Sequence, residues 1–279
     1  MMRIDGKTAV YGILGNPVSH SLSPAMHNAA FAALGENRIY LPFQAVDISS
    51  AVQGIRALNI KGVSVTIPHK EMVISLLDEV DSVAMKIGAV NTIEVVLTDQ
   101  GNILRGSNSD WVGANRALSQ HVDLTGQVVV ILGAGGSARA IAFGLQEAGS
   151  RVILCSRTES RGRKLATELG CNWHPLAEIG QLAGTVLVNA TSVGMTPDEN
   201  GTLVRQEHLA KFKVVMDIVY APLETRLLRE ARLAGCRVVQ GLDMLLYQGV
   251  AQFELWTGLP APVEVMRKAL LAATGNMGR

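Results

Sequence analysis

Short runs rich in valine and isoleucine alternate with longer amphipathic segments along almost the whole chain. The short runs have the length of β-strands, and the longer segments have the apolar period of helices. Such alternation is typical of βαβ units, in which helices connect parallel strands, and it disfavours an antiparallel sandwich or a helical bundle. The sequence therefore predicts an α/β fold.

The first part of the chain contains three such strands and then a different pattern. Strands are predicted from Ala9, Arg38 and Gly62, with helices near Pro24, Ser49 and His69. After Asn91, the runs NTIEVVL and NILRGSN flank the turn TDQG, which indicates a β-hairpin and a seam in the topology. A capped helix is expected from Ser109.

A second alternating series begins at Gln127 and indicates a second α/β domain. Its strands are QVVVILG, RVILCSR, TVLVNAT, KVVMDIV and RVVQG, with helices between most of them. The tail from Leu242 has an almost wholly helical pattern, and its apolar face requires a packing partner. That face comprises Leu245, Leu246, Val250, Phe253, Trp256, Met266, Leu270 and Leu271.

Composition and charge favour small-molecule partners. The 279 residues include 25 Lys and Arg against 24 Asp and Glu, with neither a basic stripe nor an acidic tail, so we expect no nucleic-acid or membrane partner. The three cysteines lack the spacing of a metal site, and no metal is expected. The sequence shows no signal peptide and no apolar run of about 20 residues, which predicts a soluble, cytoplasmic protein.

A glycine-rich turn follows the strand QVVVILG. Gly133, Gly135 and Ala138 form a G-x-G-x-x-A pattern between that strand and a helix. In this context glycines let the backbone approach a pyrophosphate that is bound at the helix N-terminus. The pattern predicts a dinucleotide site, and a turn that only lets the helix pack closely is the alternative.

The end of the next strand, CSRTESRGR, indicates which dinucleotide is bound. NAD-binding versions carry an acidic residue here, whereas a nearby arginine favours the 2′-phosphate of NADP. Ser156 stands in place of the acid, and Arg157 and Arg161 follow it. Guanidinium groups bind phosphate or stack on adenine, so we predict NADP. The alternative is that these arginines are only solvated charges at a helix start.

Lys70 and Asp110 are candidates for acid–base chemistry. In VTIPHKEMV, Lys70 falls in the predicted first turn of a helix, where the helix dipole would help it deliver a proton to a developing alkoxide. Asp110 in GSNSDWVG would orient this lysine and bind a substrate hydroxyl, or it would only cap a helix. Asn91 and Gln248 lie beside apolar runs, in either a ligand-binding or a structural role.

The segment GNPVSHSLSPAMHN lies between the first strand and the first helix, where α/β proteins often place a ligand crevice. Pro24 is expected at the first helical position and Ser23 at the N-cap, where its hydroxyl would accept a backbone N–H. Capping leaves Ser19, His20 and Ser21 without a role.

The motifs GNPVSHSLSPAMHN, VTIPHK, GAVNT, GSNSDWVG, GAGGSARA, SRT, NATSVGM and YQGVAQFELW occur in this order. Together, from about Tyr11 to Trp256, they resemble the shikimate dehydrogenase family. The resemblance implies an NADP-dependent oxidoreductase that reduces 3-dehydroshikimate to shikimate in aromatic amino acid biosynthesis. It also implies a discontinuous α/β substrate domain of residues 1–110, with C-terminal helices 242–279 packed back on it, and a Rossmann-type NADP-binding domain of residues 111–241.

The resemblance also implies a role for each candidate residue. Lys70 would be the catalytic lysine, with Asp110 as its partner. Substrate contacts would come from Ser21, Ser23, Thr66, Asn91, Asp110, Tyr220 and Gln248. The cofactor would be bound by Gly133, Ala134, Gly135, Gly136, Ser137, Ala138, Ser156, Arg157, Thr158, Arg161, Thr191, Met195, Gly241 and Met244.

Two departures from the family pattern bear on specificity. The motif at Asp110 is N-S-D in place of N-T-D, and CSRT replaces the commoner N-R-T. A quinate or quinate/shikimate dehydrogenase of relaxed substrate or cofactor use is one alternative, and Arg157 counts against it. A non-enzymatic dinucleotide-binding module is the other, and the presence of both Lys70 and Asp110 counts against it. We expect a monomer or a homodimer.

Overall fold

A computed structural model describes residues 4–99 and 101–275. The chain forms two compact units, one made of the residues up to Ser109 and those from Gln248, the other spanning Asp110–Tyr247. Both units are α/β, which confirms the predicted fold class. The assignment of a substrate role and a cofactor role to separate domains stays a prediction. In the described residues, no helix is both long enough and apolar enough to cross a membrane.

The first unit contains a six-stranded mixed sheet of order β2-β1-β3-β5-β6-β4. Its elements are β1 (Ala9–Gly15), α1 (Ser23–Ala33), β2 (Arg38–Gln44), α2 (Ile48–Ala57), β3 (Gly62–Val65), β4 (Glu79–Val80), α3 (Ser82–Ile87), β5 (Thr92–Thr98) and β6 (Gly101–Ser107). Strand β1 is parallel to β2 and β3, whereas β5 is antiparallel to β3 and β6. The predicted hairpin is therefore confirmed as β5–β6.

The α-helix expected near His69 is wrong. The chain forms a turn through Lys70 and then a five-residue 3₁₀ helix, Met72–Leu76. The Lys70 carbonyl accepts the Val90 N–H at 2.8 Å, so the backbone here is held by a tertiary hydrogen bond. The helix dipole expected to act on Lys70 is correspondingly missing, because a macrodipole requires several aligned turns.

The expected N-cap of α1 is also wrong. The N-cap residue is Leu22, which offers no side-chain hydrogen bond, and Ser23 is already the first helical residue. Ser21 takes the capping role, since its Oγ accepts the Ser23 N–H at 3.3 Å. The Ser23 side chain is instead buried beside Tyr40.

The second unit contains a six-stranded sheet in which all strands are parallel, of order β9-β8-β7-β10-β11-β12. Its elements are α4 (Asp110–Ser119), β7 (Val128–Leu132), α5 (Gly136–Glu147), β8 (Arg151–Ser156), α6 (Glu159–Leu169), β9 (Asn172–Pro175), β10 (Val186–Asn189), α7 (Gln206–Leu209), β11 (Val214–Asp217), α8 (Arg226–Leu233) and β12 (Arg237–Val239). A second 3₁₀ helix, Leu176–Gln181, follows β9.

Strand order reverses between β7 and β10, which is the switch point of a doubly wound Rossmann-type sheet. Both faces of the sheet are covered. In β7, Val129 and Ile131 pack into one buried cluster, and Val130 and Leu132 pack into another. A ligand crevice is expected at the carboxyl ends of β7 and β10, because the connections leave the sheet in opposite directions there.

Two further helices follow β12, α9 (Gly241–Thr257) and α10 (Val263–Thr274). Helix α10 packs on α1, with Met266 and Leu270 fully buried. In α9, the Phe253 ring lies 5.4 Å from the Phe31 ring of α1. The predicted apolar face is thus covered within the first unit at these positions. Leu271 is an exception, since it is 49% exposed.

Candidate functional site

One edge of the first unit's sheet collects the segments that carry the predicted substrate residues. Parallel strands β1 and β3 end at this edge, and antiparallel β5 begins there. The Val65 N–H donates to the Asn91 carbonyl at 2.8 Å, which joins the end of β3 to the start of β5. Ser21 follows β1, Thr66 and Lys70 follow β3, and Asn91 precedes β5. The topology therefore places these residues at one end of the sheet.

The two motif serines have different environments. Ser21 is half-buried, whereas the Ser23 side chain is buried and hydrogen-bonds the Tyr40 hydroxyl. Tyr40 in turn donates to Ser64 Oγ at 2.7 Å. Burial raises the pKa of Tyr40, and its hydrogen bonds to Ser64 and Ser23 oppose the rise. Ser21 is thus the more accessible of the two serines.

Lys70 is fixed by backbone geometry. It is half-buried, and its backbone carbonyl accepts the Val90 N–H. Because Asn91 directly follows Val90, this hydrogen bond places the backbone of Lys70 close to that of Asn91. The neighbouring His69 is buried, with Nε2 2.8 Å from the Ala45 carbonyl. The turn that carries Lys70 is therefore anchored on both sides.

Asn91 is buried in a hydrogen-bond network that reaches α9. Its Oδ1 accepts the Ser109 N–H and the Thr92 hydroxyl, each at 2.7 Å. Gln252 donates through Nε2 to the Asn91 carbonyl at 3.2 Å and to Thr92 Oγ1 at 2.9 Å. Gln248, also buried, precedes Gln252 by one helical turn and so shares its side of α9. Gln252 was not predicted from the sequence, although its spacing of four from Gln248 was a usable signal.

His27, one turn after Ser23 in α1, is fully buried and stacks on Tyr40 with ring centroids 4.5 Å apart. Burial lowers the pKa of His27 to about 3, and neighbouring Gln252 opposes this shift to a smaller extent. The neutral imidazole is thus part of the packing beneath the site.

In the second unit, the glycine turn opens α5 as predicted from the sequence. Gly133 has a φ of 118°, and a Cβ there would lie 3.1 Å from the Ala190 carbonyl oxygen, so only glycine is accommodated without strain. Gly135 is the N-cap of α5, with extended backbone, no side-chain cap and open space for 4 Å around the position that a Cβ would take. Ala134, Gly136 and Ser137 are half-buried, and Ala138 is fully buried.

This turn fits a dinucleotide phosphate. The first N–H groups of a helix have no intrahelical partner, and the N-cap residue of α5, Gly135, has no side chain that could bond them. The space at Gly135 leaves them accessible to an anion, which the positive end of the helix dipole favours.

The residues after β8 divide into bonded and accessible ones. Ser156 is buried, and its Oγ donates to the Thr158 carbonyl at 3.3 Å and accepts the Trp173 Nε1–H at 2.9 Å. Arg157 and Arg161 are exposed, as is Thr158. Within the described part of the chain, neither of these two arginines forms an ion pair.

Arg163, unlike Arg157 and Arg161, has partners within the second unit. Its Nε lies 2.7 Å from Glu159 Oε1, and its guanidinium lies 4.5 Å from the Trp173 ring centroid. The nearby Arg157 and Arg161 have no such internal partner among the residues described, which fits a role in binding an external anion such as a 2′-phosphate.

The loop after β10 carries Thr191 and Met195. Asn189 Oδ1 accepts the Thr191 N–H at 3.1 Å and its hydroxyl at 2.7 Å, and Thr191 Oγ1 accepts the Val193 N–H at 3.1 Å. Thr191 Cγ2 lies 3.1 Å from the Cβ position of Gly133. This loop therefore lies directly beside the glycine turn, with Met195 36% exposed.

The segment after β11 carries Tyr220, whose pKa is raised by burial. Gly241 at the start of α9 approaches this segment closely, since a Cβ there would lie 2.4 Å from the Ile218 carbonyl oxygen. Met244, one turn later, is buried. Gly241 therefore lies directly beside the segment that follows β11.

Asp110 is the first residue of α4 and is buried. It belongs to the second unit, as Tyr220 does, whereas the other predicted substrate residues belong to the first. In the described residues, no group of three or more His, Cys, Asp or Glu side chains could hold a metal ion.

Comparison with known proteins identifies the family. Residues 13–93 match the family model for the shikimate dehydrogenase substrate-binding domain, and residues 241–271 match that for the shikimate 5′-dehydrogenase C-terminal domain. A shikimate dehydrogenase (NADP(+)) of Moorella thermoacetica is 45% identical in an alignment 289 residues long, gaps included. The alignment covers 99% of this chain and 97% of the relative. The chain belongs to the shikimate dehydrogenase family. The resemblance seen in the motifs is thereby confirmed.

Other relatives of the shikimate dehydrogenase family agree. A shikimate dehydrogenase (NADP(+)) of Pyrococcus abyssi is 45% identical, covering 96% of this chain and 99% of its own. The crystal structure of shikimate 5-dehydrogenase from Thermus thermophilus, in complex with NADP(H) and shikimate, is 38% identical with a TM-score of 0.86, covering 95% and 99% of the two chains. Residues 128–220 match a model described as an F420-dependent NADP oxidoreductase.

Proposed function

We propose that the protein is an NADP-dependent shikimate dehydrogenase that reversibly reduces 3-dehydroshikimate to shikimate. The observation that carries this proposal is the 45% identity to an enzyme of that name across 99% of the chain. The open N-terminus of α5 and the accessible Arg157 and Arg161 support the choice of a phosphorylated dinucleotide.

In this proposal the second unit binds the cofactor. The turn Gly133–Ala138 receives the pyrophosphate, because its backbone N–H groups and the helix dipole favour an anion. Arg157 and Arg161, with Ser156 and Thr158 beside them, bind the ribose 2′-phosphate. Thr191, Met195, Gly241 and Met244 line the nicotinamide side. When bound, NADPH supplies a hydride to the substrate carbon.

The remaining predicted residues bind the substrate and move a proton. Lys70 delivers a proton to the carbonyl oxygen during reduction and takes it back in the reverse direction. Asp110 orients the lysine and hydrogen-bonds a substrate hydroxyl. Ser21 and Ser23 bind the carboxylate, since hydroxyl donors near a helix N-terminus favour an anion. Thr66, Asn91, Tyr220 and Gln248 contact the ring and its hydroxyls.

Initial rates with four substrate pairs test the proposal. Shikimate and quinate are each combined with NADP⁺ and with NAD⁺, and NAD(P)H formation is followed by absorbance. We expect the highest kcat/KM for shikimate with NADP⁺. Equal rates with quinate or with NAD⁺ would favour the relaxed quinate/shikimate enzyme, and inactivity in all four pairs would favour a binding module.

The cellular location and oligomeric state belong to the same proposal. The protein acts in the cytoplasm on a small molecule, as a monomer or homodimer. Fractionation of the source cells and sedimentation of the purified protein measure these two properties independently of activity.

A further inference from the structure

Asp217 is a fully buried carboxylate at the end of β11 that the proposed chemistry does not use. Its Oδ1 accepts the Asn189 side-chain N–H at 2.9 Å and the Val219 N–H at 3.0 Å, and its Oδ2 accepts the Thr225 hydroxyl at 2.7 Å. Burial raises the pKa of Asp217 to about 6, and these hydrogen bonds oppose the rise. Burying the Asp217 carboxylate costs free energy, and its hydrogen bonds from polar neighbours offset part of that cost.

The donors to Asp217 come from three segments. Asn189 ends β10 and holds Thr191 through its own Oδ1. Val219 directly precedes Tyr220, and Thr225 caps α8 by accepting the Leu228 N–H at 3.3 Å. One carboxylate therefore joins the loop after β10 to the segment after β11.

The hydrogen bonds at this position match a group that only accepts. Each carboxylate oxygen of Asp217 faces N–H or O–H donors, and Asn189 turns its amide N–H toward Asp217 because its oxygen serves Thr191. An amide at position 217 could accept from Asn189 and Val219 only with its NH₂ group turned to Thr225, whose hydroxyl would then have no acceptor in Asp217. A buried donor without an acceptor is costly, so the two loops would separate or rearrange.

We propose that Asp217 is a positioning residue that holds the Thr191–Met195 loop and the Tyr220 segment in the one arrangement that receives the nicotinamide side of the cofactor and the substrate. This inference rests on the proposed function for the identity of both ligands. It assigns to Asp217 no contact with either of them.

The test compares Asp217→Asn with the natural protein. The dissociation constant for NADP⁺, measured by protein fluorescence without substrate, should rise about tenfold, and the KM for shikimate should rise with it. Hydrogen exchange of the Thr191 and Val193 amides should accelerate in the ligand-free protein. A role limited to stability would lower the folded fraction while leaving the dissociation constant and KM of the folded enzyme unchanged.

A matched pair at Thr225 keeps the test decisive if Asp217→Asn fails to fold. Thr225→Val removes one donor to Asp217 at nearly constant volume and should shift both constants in the same direction, by about threefold. Thr225→Ser retains the hydroxyl and should restore values close to the natural ones. Loss of the α8 cap alone would lower the melting temperature without changing the dissociation constant.

The possible outcomes separate the two proposals. Unchanged NADP⁺ affinity, KM and amide exchange in Asp217→Asn, or in Thr225→Val if the first variant does not fold, would overturn the positioning role. A natural protein that binds NADP⁺ but does not oxidise shikimate would overturn the proposed function, whereas the affinity and exchange measurements would still decide the role of Asp217.

Discussion

His27 is buried against Tyr40, and burial lowers its pKa to about 3, whereas the unfolded chain takes up a proton near pH 6.5. The unfolded state therefore binds more protons below that pH, and the stability contributed by neutral His27 is complete above pH 7 and falls as the pH falls. The expected loss is about 1.4 kcal/mol per pH unit below 6.5.

Replacing His27 with Phe should remove this dependence. Between pH 7 and pH 5, the free energy of unfolding of the natural protein should fall by about 2 kcal/mol more than that of His27→Phe. Urea unfolding at both pH values measures the difference, and a variant at exposed His20 serves as the control. Parallel pH profiles for the natural protein and His27→Phe would contradict the assignment.

Lys70 is the residue on which the proposed proton transfer depends. Lys70→Ala should lower kcat for shikimate oxidation by about 10²–10⁴-fold and change KM much less, because general acid–base catalysis acts on the transition state. Lys70→Arg retains the positive charge but has a side chain that does not release its proton. Both variants should therefore be slow in initial-rate assays. Activity retained in Lys70→Arg would mean that only the charge matters.

At the scale of elements, the sequence predicted what depends on local pattern. The β5–β6 hairpin and the long strands have apolar periods and turn residues of their own, and they are confirmed. Strand β9 was missed because NWHP has no apolar run, and its extended form depends on pairing with β8 at the sheet edge. The helix near His69 failed because a tertiary hydrogen bond, between residues 20 positions apart, competes with the local pattern.

Two glycines of the first unit, Gly62 and Gly54, should respond to replacement by alanine with opposite changes in stability. Gly62 in β3 lets the Trp256 indole approach, since a Cβ there would lie 2.5 Å from Trp256 Nε1, which donates to the Ile93 carbonyl at 3.1 Å. Gly62→Ala should destabilise the protein by about 1–3 kcal/mol through overpacking. Gly54→Ala, in α2 with open space around its Cβ position, should stabilise it by about 0.5–1 kcal/mol.

Denaturant unfolding measures both glycine variants. A destabilised Gly54→Ala would show that α2 has a tertiary contact at this position. A neutral Gly62→Ala would show that Trp256 can move away without cost, and the contact would then contribute nothing to holding α9 on the sheet.

At the scale of the whole molecule, the sequence predicted two α/β parts and a C-terminal segment that needs a partner. It did not predict which buried polar residues join distant segments. Gln252 bonds Asn91 across 161 positions, and Asp217 bonds Asn189 across 28. Such pairs have no local period, and each residue alone resembles an ordinary polar residue beside an apolar run. Their roles follow only from the assembled topology.

The division of the chain gives a prediction for the cofactor. All predicted cofactor residues fall within residues 110–247, so NADP⁺ should slow amide hydrogen exchange most strongly there, at the starts of α5 and α6. At 100 times its dissociation constant, NADP⁺ should add about 2.7 kcal/mol to the stability of the state that binds it. NAD⁺ at the same concentration should add less, because it lacks the 2′-phosphate that Arg157 and Arg161 would bind.

Arg157→Ala should remove this difference between the two cofactors by weakening NADP⁺ binding and leaving NAD⁺ binding nearly unchanged. Arg163→Ala is the matched control, because this neighbouring arginine already pairs with Glu159 and stacks on Trp173. It should keep the preference for NADP⁺ while losing only the stability of those surface contacts. Melting temperatures and exchange rates with each cofactor measure both variants. Equal losses for NADP⁺ and NAD⁺ in Arg157→Ala would mean that Arg157 supports the fold of the loop and does not recognise the phosphate.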